Sequence, residues 1–159
     1  MEVISKLISL FFTSTFVVWI RTVMHYIIFS LILRLTFDVT VLTEIWNINL
    51  DLFKNLFQGY TFYFDVPSDS IIGGVGVYVR NCYSCNTLNF FKITSTETNR
   101  VKNISTEILT NGHKYILGAV YRHPNHNIND FTELLDHNQC QLANTRDPCI
   151  IVGDYCWWS

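Results

Sequence analysis

The sequence predicts an α/β (α+β) fold: a partial two-sheet β-sandwich flanked by helices and preceded by an apolar N-terminal helical leader. Short runs of β-branched and aromatic residues, which favour strands, recur from Thr36 onward. Segments with apolar residues at helical spacing lie between these runs. This order fits two packed sheets with helices on their outer faces. The length of 159 residues corresponds to one ordinary domain.

Residues 1–35 differ from the rest of the chain because apolar residues dominate them. Residues 7–35 contain two apolar runs separated by Arg21, and together the runs are long enough for a membrane helix of about 20 residues. Arg21 near the centre of such a helix would cost about 2.5–3.5 kcal/mol. A buried helical hairpin and a non-homologous flank are the alternatives. The sequence therefore predicts a leader over residues 1–35, with membrane contact through residues 7–35 as one interpretation, and a domain over residues 36–159.

The first part of the domain contains two predicted strands with a helix between them. Asp38–Thr43 is short and β-branched, and Tyr60–Phe64 is aromatic, so both favour strands. Leu50–Phe57 has apolar residues at helical spacing, and Gly59 is expected to end this helix. A polar turn follows at Pro67–Ser70.

The later part of the domain contains the strongest hairpin pattern. Gly74–Val79 predicts a strand, and Ser105–Leu109 and Tyr115–Tyr121 predict two more. The last two are joined by Asn111-Gly112, a dipeptide that favours a two-residue hairpin turn. The polar stretch before this pair, from Asn81 to Asn103, has no clear assignment beyond a second hairpin.

The last predicted elements are a helix and a buried strand. Asn129 is expected to cap the helix. Its inner face carries four apolar residues: Phe131, Leu134, Leu135 and Leu142. Cys149–Val152 predicts the buried strand, which ends in Gly153 and Asp154.

Charge and cysteine content exclude some classes of protein. The formal net charge is −2, and the basic residues form no stripe or cluster, which argues against a module that binds DNA through phosphate contacts alone. A bound metal ion can supply positive charge locally, so the net charge does not exclude a nuclease. The five cysteines are odd in number and irregular in spacing, so no disulfide partner is expected.

Polar side chains follow three of the predicted strands. Glu44 comes after the first, Tyr121 and Arg122 end the hairpin, and Asp154 ends the last strand. Buried strands packed side by side deliver the residues that follow them to one rim, where functional loops collect. Two carboxylates at one rim would favour a hard divalent cation such as Mg²⁺, which polarises a phosphodiester and lowers the pKa of bound water.

Four blocks of sequence carry a resemblance to a known family. They are LTEIW (42–46), GYTFYFDVPSDSIIGGVGVYVRN (59–81), ILGAVYRHPNHNINDF (116–131) and CIIVGDY (149–155). In this order they resemble the endonuclease domain of non-LTR (LINE-like) retrotransposons, which belongs to the endonuclease/exonuclease/phosphatase superfamily. The resemblance implies a Mg²⁺-dependent DNA endonuclease that hydrolyses phosphodiesters, with DNA as its partner and a nuclear or cytoplasmic location.

The resemblance also implies roles for five residues. Glu44 corresponds to the metal-binding glutamate, Tyr121 to the tyrosine that contacts the scissile phosphate, and Asp154 to the aspartate that activates or orients the attacking water. Arg122 and Asn125 lie in the same motif as the tyrosine and are implied to bind substrate.

Several departures predict that the chain is an inactive remnant. The GDxN motif should place asparagine where Cys156 stands, and a thiol lacks the paired donor and acceptor of an amide. The first strand, with its metal-side asparagine, is expected before Thr36, where only the leader is found. The later strands, with a second aspartate and a histidine, would follow residue 159, so the domain is expected to be truncated at both ends.

The alternative function is a small membrane-anchored, non-enzymatic protein located in a membrane.

Overall fold

A computed structural model of the chain describes residues 10–12, 15–20, 37–45, 50–67, 73–88 and 101–154. Within these residues the chain forms two sheets and two helices. The strands are β1 (Leu10–Phe12), β2 (Thr15–Ile20), β3 (Val39–Ile45), β4 (Tyr60–Asp65), β5 (Gly74–Arg80), β6 (Ser84–Leu88), β7 (Val101–Thr110), β8 (His113–Arg122) and β9 (Cys149–Asp154). The helices are α1 (Leu50–Lys54) and α2 (Ile128–Ala143).

The first sheet has the strand order β1-β2-β3-β5-β4, and the second has the order β6-β7-β8-β9. In the first sheet β2 runs parallel to β3, whereas β5 is antiparallel to both β3 and β4. In the second sheet β6, β7 and β8 are antiparallel neighbours, and β9 runs parallel to β8. The predicted two-sheet α/β fold is thereby confirmed.

The main core lies between the two sheets. Alternate residues of β3, β5, β7, β8 and β9 point inward and are almost fully buried. They are Val39, Val41, Val75, Val77, Val79, Ile108, Leu117, Ala119, Tyr121 and Val152. β-branched side chains dominate this set because they pack well on a pleated surface that is buried on one face. Burial of these side chains at roughly 25 cal/mol per Å² is what holds the sheets together.

Each helix covers the outer face of one sheet. Phe53 of α1 packs with Leu42, Ile45 and Tyr78 on the first sheet, and the Tyr78 hydroxyl donates a hydrogen bond to the Phe53 carbonyl. Phe131 of α2 packs with Val101 and Val120 on the second sheet. Both helices therefore lie where the sequence predicts them, although α1 ends at Lys54 and turns fill the remainder up to Gly59.

The described part of the leader is strand, not helix. β1 pairs antiparallel with β2, and β2 pairs in parallel with β3 over Val17↔Val39 to Ile20↔Leu42. The prediction of a helical leader is therefore wrong for these residues, and residues upstream of position 36 contribute strands to the first sheet. A strand beside β3 satisfies backbone groups that would otherwise form an open sheet edge. The other residues of the leader lie outside the described ranges.

Within the described ranges, no helix is both long enough and apolar enough to cross a membrane. The predicted membrane contact through residues 7–35 falls partly on β1 and β2 and partly on residues outside those ranges.

The Asn111-Gly112 hairpin is confirmed. Both residues have positive φ, 49° and 76°, as a type I′ turn requires. The strands on either side pair without interruption from Thr110↔His113 to Val101↔Arg122. The pairing is longer than predicted because residues 101–104 continue β7 and β6 adds a further strand beside it.

The cap of α2 lies two residues earlier than predicted. Asn127 is the cap, because its Oδ1 accepts a hydrogen bond from the Asn129 N–H at 2.9 Å and its carbonyl accepts one from Phe131 at 3.2 Å. The prediction of Asn129 as the cap is therefore wrong. On the inner face, Phe131 and Leu135 pack against the sheet while Leu134 is half-buried outside that cluster. The side chain of Leu142 lies outside the described part of the chain.

A tyrosine joins the two sheets at the side away from β3 and β9. The Tyr63 hydroxyl of β4 donates a hydrogen bond to the Cys85 carbonyl of β6 at 3.1 Å. Burial there, with Cys85 nearby, raises the pKa of Tyr63 to about 12. Burial also raises the pKa of the Cys85 thiol.

Candidate active site

Glu44 occupies a β-bulge at the end of β3. The register with β5 shifts between Thr43 and Ile45, which leaves Glu44 as the extra residue. Its φ is 59°, in the left-handed region that non-glycine residues adopt only at a cost. Its side chain is half-buried. Bulges bend a strand and re-aim a side chain, and Ile45 is thereby returned to the outer face beside Leu42.

Tyr121 and Asp154 are direct neighbours across β8 and β9. They are register partners in the parallel pair, and Lys102 of β7 is the partner of Tyr121 on its other side. Tyr121 belongs to the core between the sheets, so the row Lys102–Tyr121–Asp154 lies on the inner face of the second sheet. The exposed fractions of the three residues are 8%, 3% and 3%.

A second row faces the first from the other sheet. Thr43, Val75 and Asp65 are register partners across β3, β5 and β4. Val75 belongs to the inner core, so this row also points inward. The two rows are joined at one end, where Lys102 Nζ lies 3.9 Å from Asp65 Oδ1 and the Asn103 N–H donates to Asp65 Oδ2 at 3.1 Å.

Gly73 connects Glu44 to the row that contains Tyr121. A Cβ atom at Gly73 would lie 2.9 Å from the Cα of Glu44 and 3.4 Å from Cε1 of Tyr121. The backbone of Glu44 and the ring of Tyr121 therefore approach the same point. Glycine is required there because any side chain would displace one of them.

The backbone of Glu44 and the neighbouring residues Tyr121 and Asp154 thus lie at the same end of the sandwich. β3 contacts both β8 and β9 across the interior, and Gly73 fixes the end at which Glu44 and Tyr121 meet. The C-terminal end of each of the three strands delivers its polar residue to this rim, as expected for strands that share one edge.

Glu44, Tyr121 and Asp154 carry oxygen atoms of the kind that a hard cation prefers. Glu44 and Asp154 each carry a carboxylate, and Tyr121, the register partner of Asp154, carries a hydroxyl. Across the described residues no group of three or more His, Cys, Asp and Glu side chains is arranged to hold a metal ion. Hard divalent cations commonly bind only one or two protein carboxylates and keep several waters or substrate oxygens, so two carboxylates are compatible with such an ion.

The resemblance also implies substrate binding for Arg122 and Asn125, which lie at the end of β8 and in the loop that follows it. Arg122 follows Tyr121 and therefore faces the outer side of the second sheet, because side chains alternate along a strand. It is 4% exposed, its Nη1 donates to the His126 carbonyl at 2.7 Å, and its guanidinium lies 5.9 Å from the centre of the Phe131 ring. Asn125 is exposed in the loop after β8, where its N–H donates to His123 Nδ1 at 3.2 Å.

Three residues of the rim are missed by sequence reasoning: Thr43, Gly73 and Lys102. The alternation of inward positions along β3 and β7 would have indicated Thr43 and Lys102, since each continues a series of buried residues. Gly73 has no such pattern, because its role depends on two residues that are distant in sequence.

Two expected asparagines have no counterpart in the rim. Position 156 is cysteine and lies outside the described residues. β2 runs parallel to β3 and occupies the position of a preceding strand, but residues 1–36 contain no asparagine. The expectation that the leader contributes no strand is wrong, whereas the amide that such a strand should carry is absent from the sequence.

The fold and the rim define a class of domain, a two-sheet α/β sandwich that collects carboxylate and hydroxyl groups at one end. The sequence profile of the Endonuclease/Exonuclease/phosphatase family matches residues 19–155. The chain therefore belongs to this family. Members of the family generally use divalent metal ions. No curated protein sequence matches the chain at a significant level.

Solved structures with low sequence identity share the fold. A humanized D. rerio TDP2 has a TM-score of 0.64 at 13% identity, covering 87% of this chain and 65% of that one. Mannosyl-6-phosphatase Bt3783 of Bacteroides thetaiotaomicron has a TM-score of 0.63 at 14% identity, with 81% and 55% covered. The endonuclease domain of TRAS1, a telomere-specific non-LTR retrotransposon, has a TM-score of 0.59 at 12% identity, with 87% and 57% covered. The chain thus spans between about half and two thirds of the length of these structures.

Proposed function

We propose that this chain is the remnant of a Mg²⁺-dependent DNA endonuclease of a non-LTR retrotransposon, with little or no remaining activity. The observation that supports the proposal is the approach of the Glu44 backbone and the Tyr121 ring to Gly73, with Asp154 as the register partner of Tyr121. Similarity of the fold to the TRAS1 endonuclease and to D. rerio TDP2, which has been solved with a single-strand DNA product, supports a nucleic-acid substrate.

Each rim residue has a distinct role in the proposed hydrolysis. Glu44 would hold the cation, Tyr121 donates a hydrogen bond from its hydroxyl to a phosphate oxygen, and Asp154 accepts a hydrogen bond from the attacking water and orients it. Bound Mg²⁺ supplies positive charge that stabilises the phosphate in the transition state. Arg122 supports substrate binding indirectly, since it fixes the loop that carries Asn125 by bonding the His126 carbonyl.

Low activity follows from the two missing amides. Residues of a catalytic set act as a unit, so the loss of one member removes most of the rate enhancement. Cysteine at 156 cannot donate and accept hydrogen bonds as an asparagine amide does. By analogy with other catalytic sets, we expect activity reduced by roughly three orders of magnitude or more.

The site is tested by cation binding, which does not depend on turnover. Mn²⁺, used as a paramagnetic substitute for Mg²⁺, is titrated into the full chain and into Glu44→Gln and Asp154→Asn variants. Both variants are expected to bind Mn²⁺ at least about tenfold more weakly, because each replaces one negatively charged carboxylate of the site with a neutral amide. Asp51→Asn is the matched control, since the Asp51 side chain is 94% exposed on α1 and belongs to no part of the rim. Equal binding by all four proteins would contradict the proposal.

Activity is tested by plasmid nicking with Mg²⁺. The full chain is expected to nick at or near background, and a Cys156→Asn variant to nick faster. If the unmodified chain nicks strongly and Glu44→Gln and Asp154→Asn do not, the proposed site is supported but the proposed lack of activity is refuted.

The retrotransposon origin is tested separately in the genomic DNA around the coding region, where a neighbouring reverse transcriptase sequence is expected.

A further inference from the structure

Thr43 has a buried hydroxyl at the rim that none of the roles above uses. The residue is 3% exposed, and across the described part of the chain its Oγ1 has no hydrogen-bond partner. An unpartnered hydroxyl in an apolar interior costs roughly 1–3 kcal/mol. Val39 and Val41 fill the two preceding inward positions of β3, so valine would fit the pattern of the strand at position 43 without this cost.

The direction of the Thr43 side chain is fixed by the register of the first sheet. Thr43 is the partner of Val75, and partners in an antiparallel pair project to the same face. Val75 belongs to the core that contains Tyr121. The hydroxyl therefore points into the gap between the sheets, immediately before Glu44 and on the side of β3 that contacts β8 and β9.

Thr40 shows that an unpartnered hydroxyl alone does not mark a site. Its Oγ1 also has no hydrogen-bond partner among the described residues, and the residue is 1% exposed. Its register partner is Tyr78, which belongs to the cluster on the outer face beside α1. Thr40 therefore points away from the rim, and the two threonines differ in the face that they occupy.

We propose that Thr43 is a further substrate-binding residue, whose hydroxyl donates a hydrogen bond to a phosphoryl oxygen bound between the two sheets at the rim. Such an oxygen would satisfy the hydroxyl that the protein leaves without a partner, and a hydrogen bond to a charged group is stronger than one to a neutral group. The inference rests on the proposed function, because it requires that Glu44, Tyr121 and Asp154 form a phosphate site. It adds a phosphate-binding hydroxyl from β3 to the roles proposed for Tyr121 of β8 and Asp154 of β9.

The test compares two substitutions on the same strand. Thr43→Val and Thr40→Val each remove one buried, unpartnered hydroxyl and keep the β-branched shape. Both variants are expected to unfold about 2–4 °C higher than the unmodified chain, since each removes the cost of an unsatisfied group. The full chain and both variants are then titrated with inorganic phosphate in the presence of Mg²⁺, and in a second arm with a short single-stranded DNA oligonucleotide.

Thr43→Val is expected to weaken binding by roughly tenfold or more, while Thr40→Val leaves it unchanged. Thr43→Ser retains the hydroxyl and is expected to retain most of the affinity. If Thr43→Val weakens binding of the oligonucleotide alone, the bound oxygen belongs to a phosphodiester. If Thr43→Val weakens binding of both ligands, the hydroxyl binds any phosphate group. Either result supports the inference.

Failure of the inference is distinguishable from failure of the proposed function. If the unmodified chain binds either ligand and Thr43→Val binds it equally well, the role of Thr43 is refuted and the rim stands. If Thr43→Val and Thr40→Val weaken binding to the same extent, the effect does not arise at the rim and the role is again refuted. If the unmodified chain binds neither ligand, the phosphate site itself is refuted, and the role of Thr43 with it.

Discussion

At the scale of single residues, the bulge at Glu44 changes which side chains at the end of β3 face outward. Strict alternation from Val39 and Val41 would place residue 44 on the outer face with Leu42, away from Tyr121. The extra residue breaks this alternation, and the left-handed φ of 59° costs roughly 1–3 kcal/mol in a non-glycine residue. The surrounding structure holds Glu44 in this conformation against that cost, which is typical of functional sites.

Gly73 gives the sharpest test of this geometry. Gly73→Ala would place a Cβ 2.9 Å from the Cα of Glu44 and 3.4 Å from the ring of Tyr121. We expect a loss of roughly 1–3 kcal/mol in the free energy of unfolding, as for other overpacked positions, together with weaker Mn²⁺ binding as Glu44 moves. Urea unfolding and Mn²⁺ titration measure the two effects.

Gly118→Ala is the matched control for that substitution. Gly118 lies in β8, and the nearest atom to a Cβ there would be 3.5 Å away, in the side chain of Ile151. This variant is expected to keep both its stability, to within about 1 kcal/mol, and its Mn²⁺ affinity. If Gly73→Ala behaves like Gly118→Ala, the close approach at Gly73 does not position the rim.

At the scale of elements, the loop between β8 and α2 is held at both ends. Arg122 donates to the His126 carbonyl at 2.7 Å, and His126 donates from its backbone to His123 at 2.9 Å. Asn127 then caps α2. The helix N-terminus is thus tied to the strand that carries Tyr121, so the stability of α2 and the conformation of the loop are coupled.

The cap is tested by two asparagines that differ only in position. Asn127→Ala removes the side-chain acceptor of the Asn129 N–H and is expected to lower the free energy of unfolding by about 0.5–2 kcal/mol. Asn129→Ala keeps that bond, because the backbone N–H of residue 129 remains, and should change the stability by less than about 0.5 kcal/mol. Equal destabilisation by the two substitutions, measured by urea unfolding, would show that Asn127 is not the cap.

At the scale of the whole molecule, β2 makes the first sheet continuous on the side of β3. β3 lies between β2 and β5, so both edges of its backbone are hydrogen-bonded. Its buried residues Val39 and Val41 form part of the core between the sheets. Without β2, the strand that contains Glu44 would become an exposed edge next to this core.

Deletion of residues 1–20 is therefore expected to destroy the fold. The shortened chain should lose cooperative thermal unfolding and aggregate, because it exposes an apolar edge strand. Deletion of residues 1–9, which removes none of the described strands, is the control and should leave a cooperative transition. Circular dichroism melting and light scattering measure both. A cooperative transition at an unchanged temperature after deletion of 1–20 would show that β2 does not support the sheet.

Most elements from β3 onward could be predicted from the sequence, whereas β6 and the first residue of α2 could not. Strand composition marked the strands, Asn111-Gly112 marked the hairpin, and the motif blocks singled out Glu44, Tyr121 and Asp154. These features are local, because propensity and turn chemistry depend on neighbouring residues. An apolar run such as Thr15–Ile20 does not distinguish a buried strand from a helix by its local sequence, so the sequence predicts a helix where the structure has a strand.

The way in which the two sheets face each other depends on packing between distant segments. The tertiary structure paired β2 with β3, it set Thr43 opposite the row of Tyr121 and Asp154, and it brought Glu44 against Gly73. Each of these facts depends on register and on packing between segments distant in the chain. One residue of shift in a strand reverses the face of every side chain in it, and local sequence patterns alone do not fix that shift.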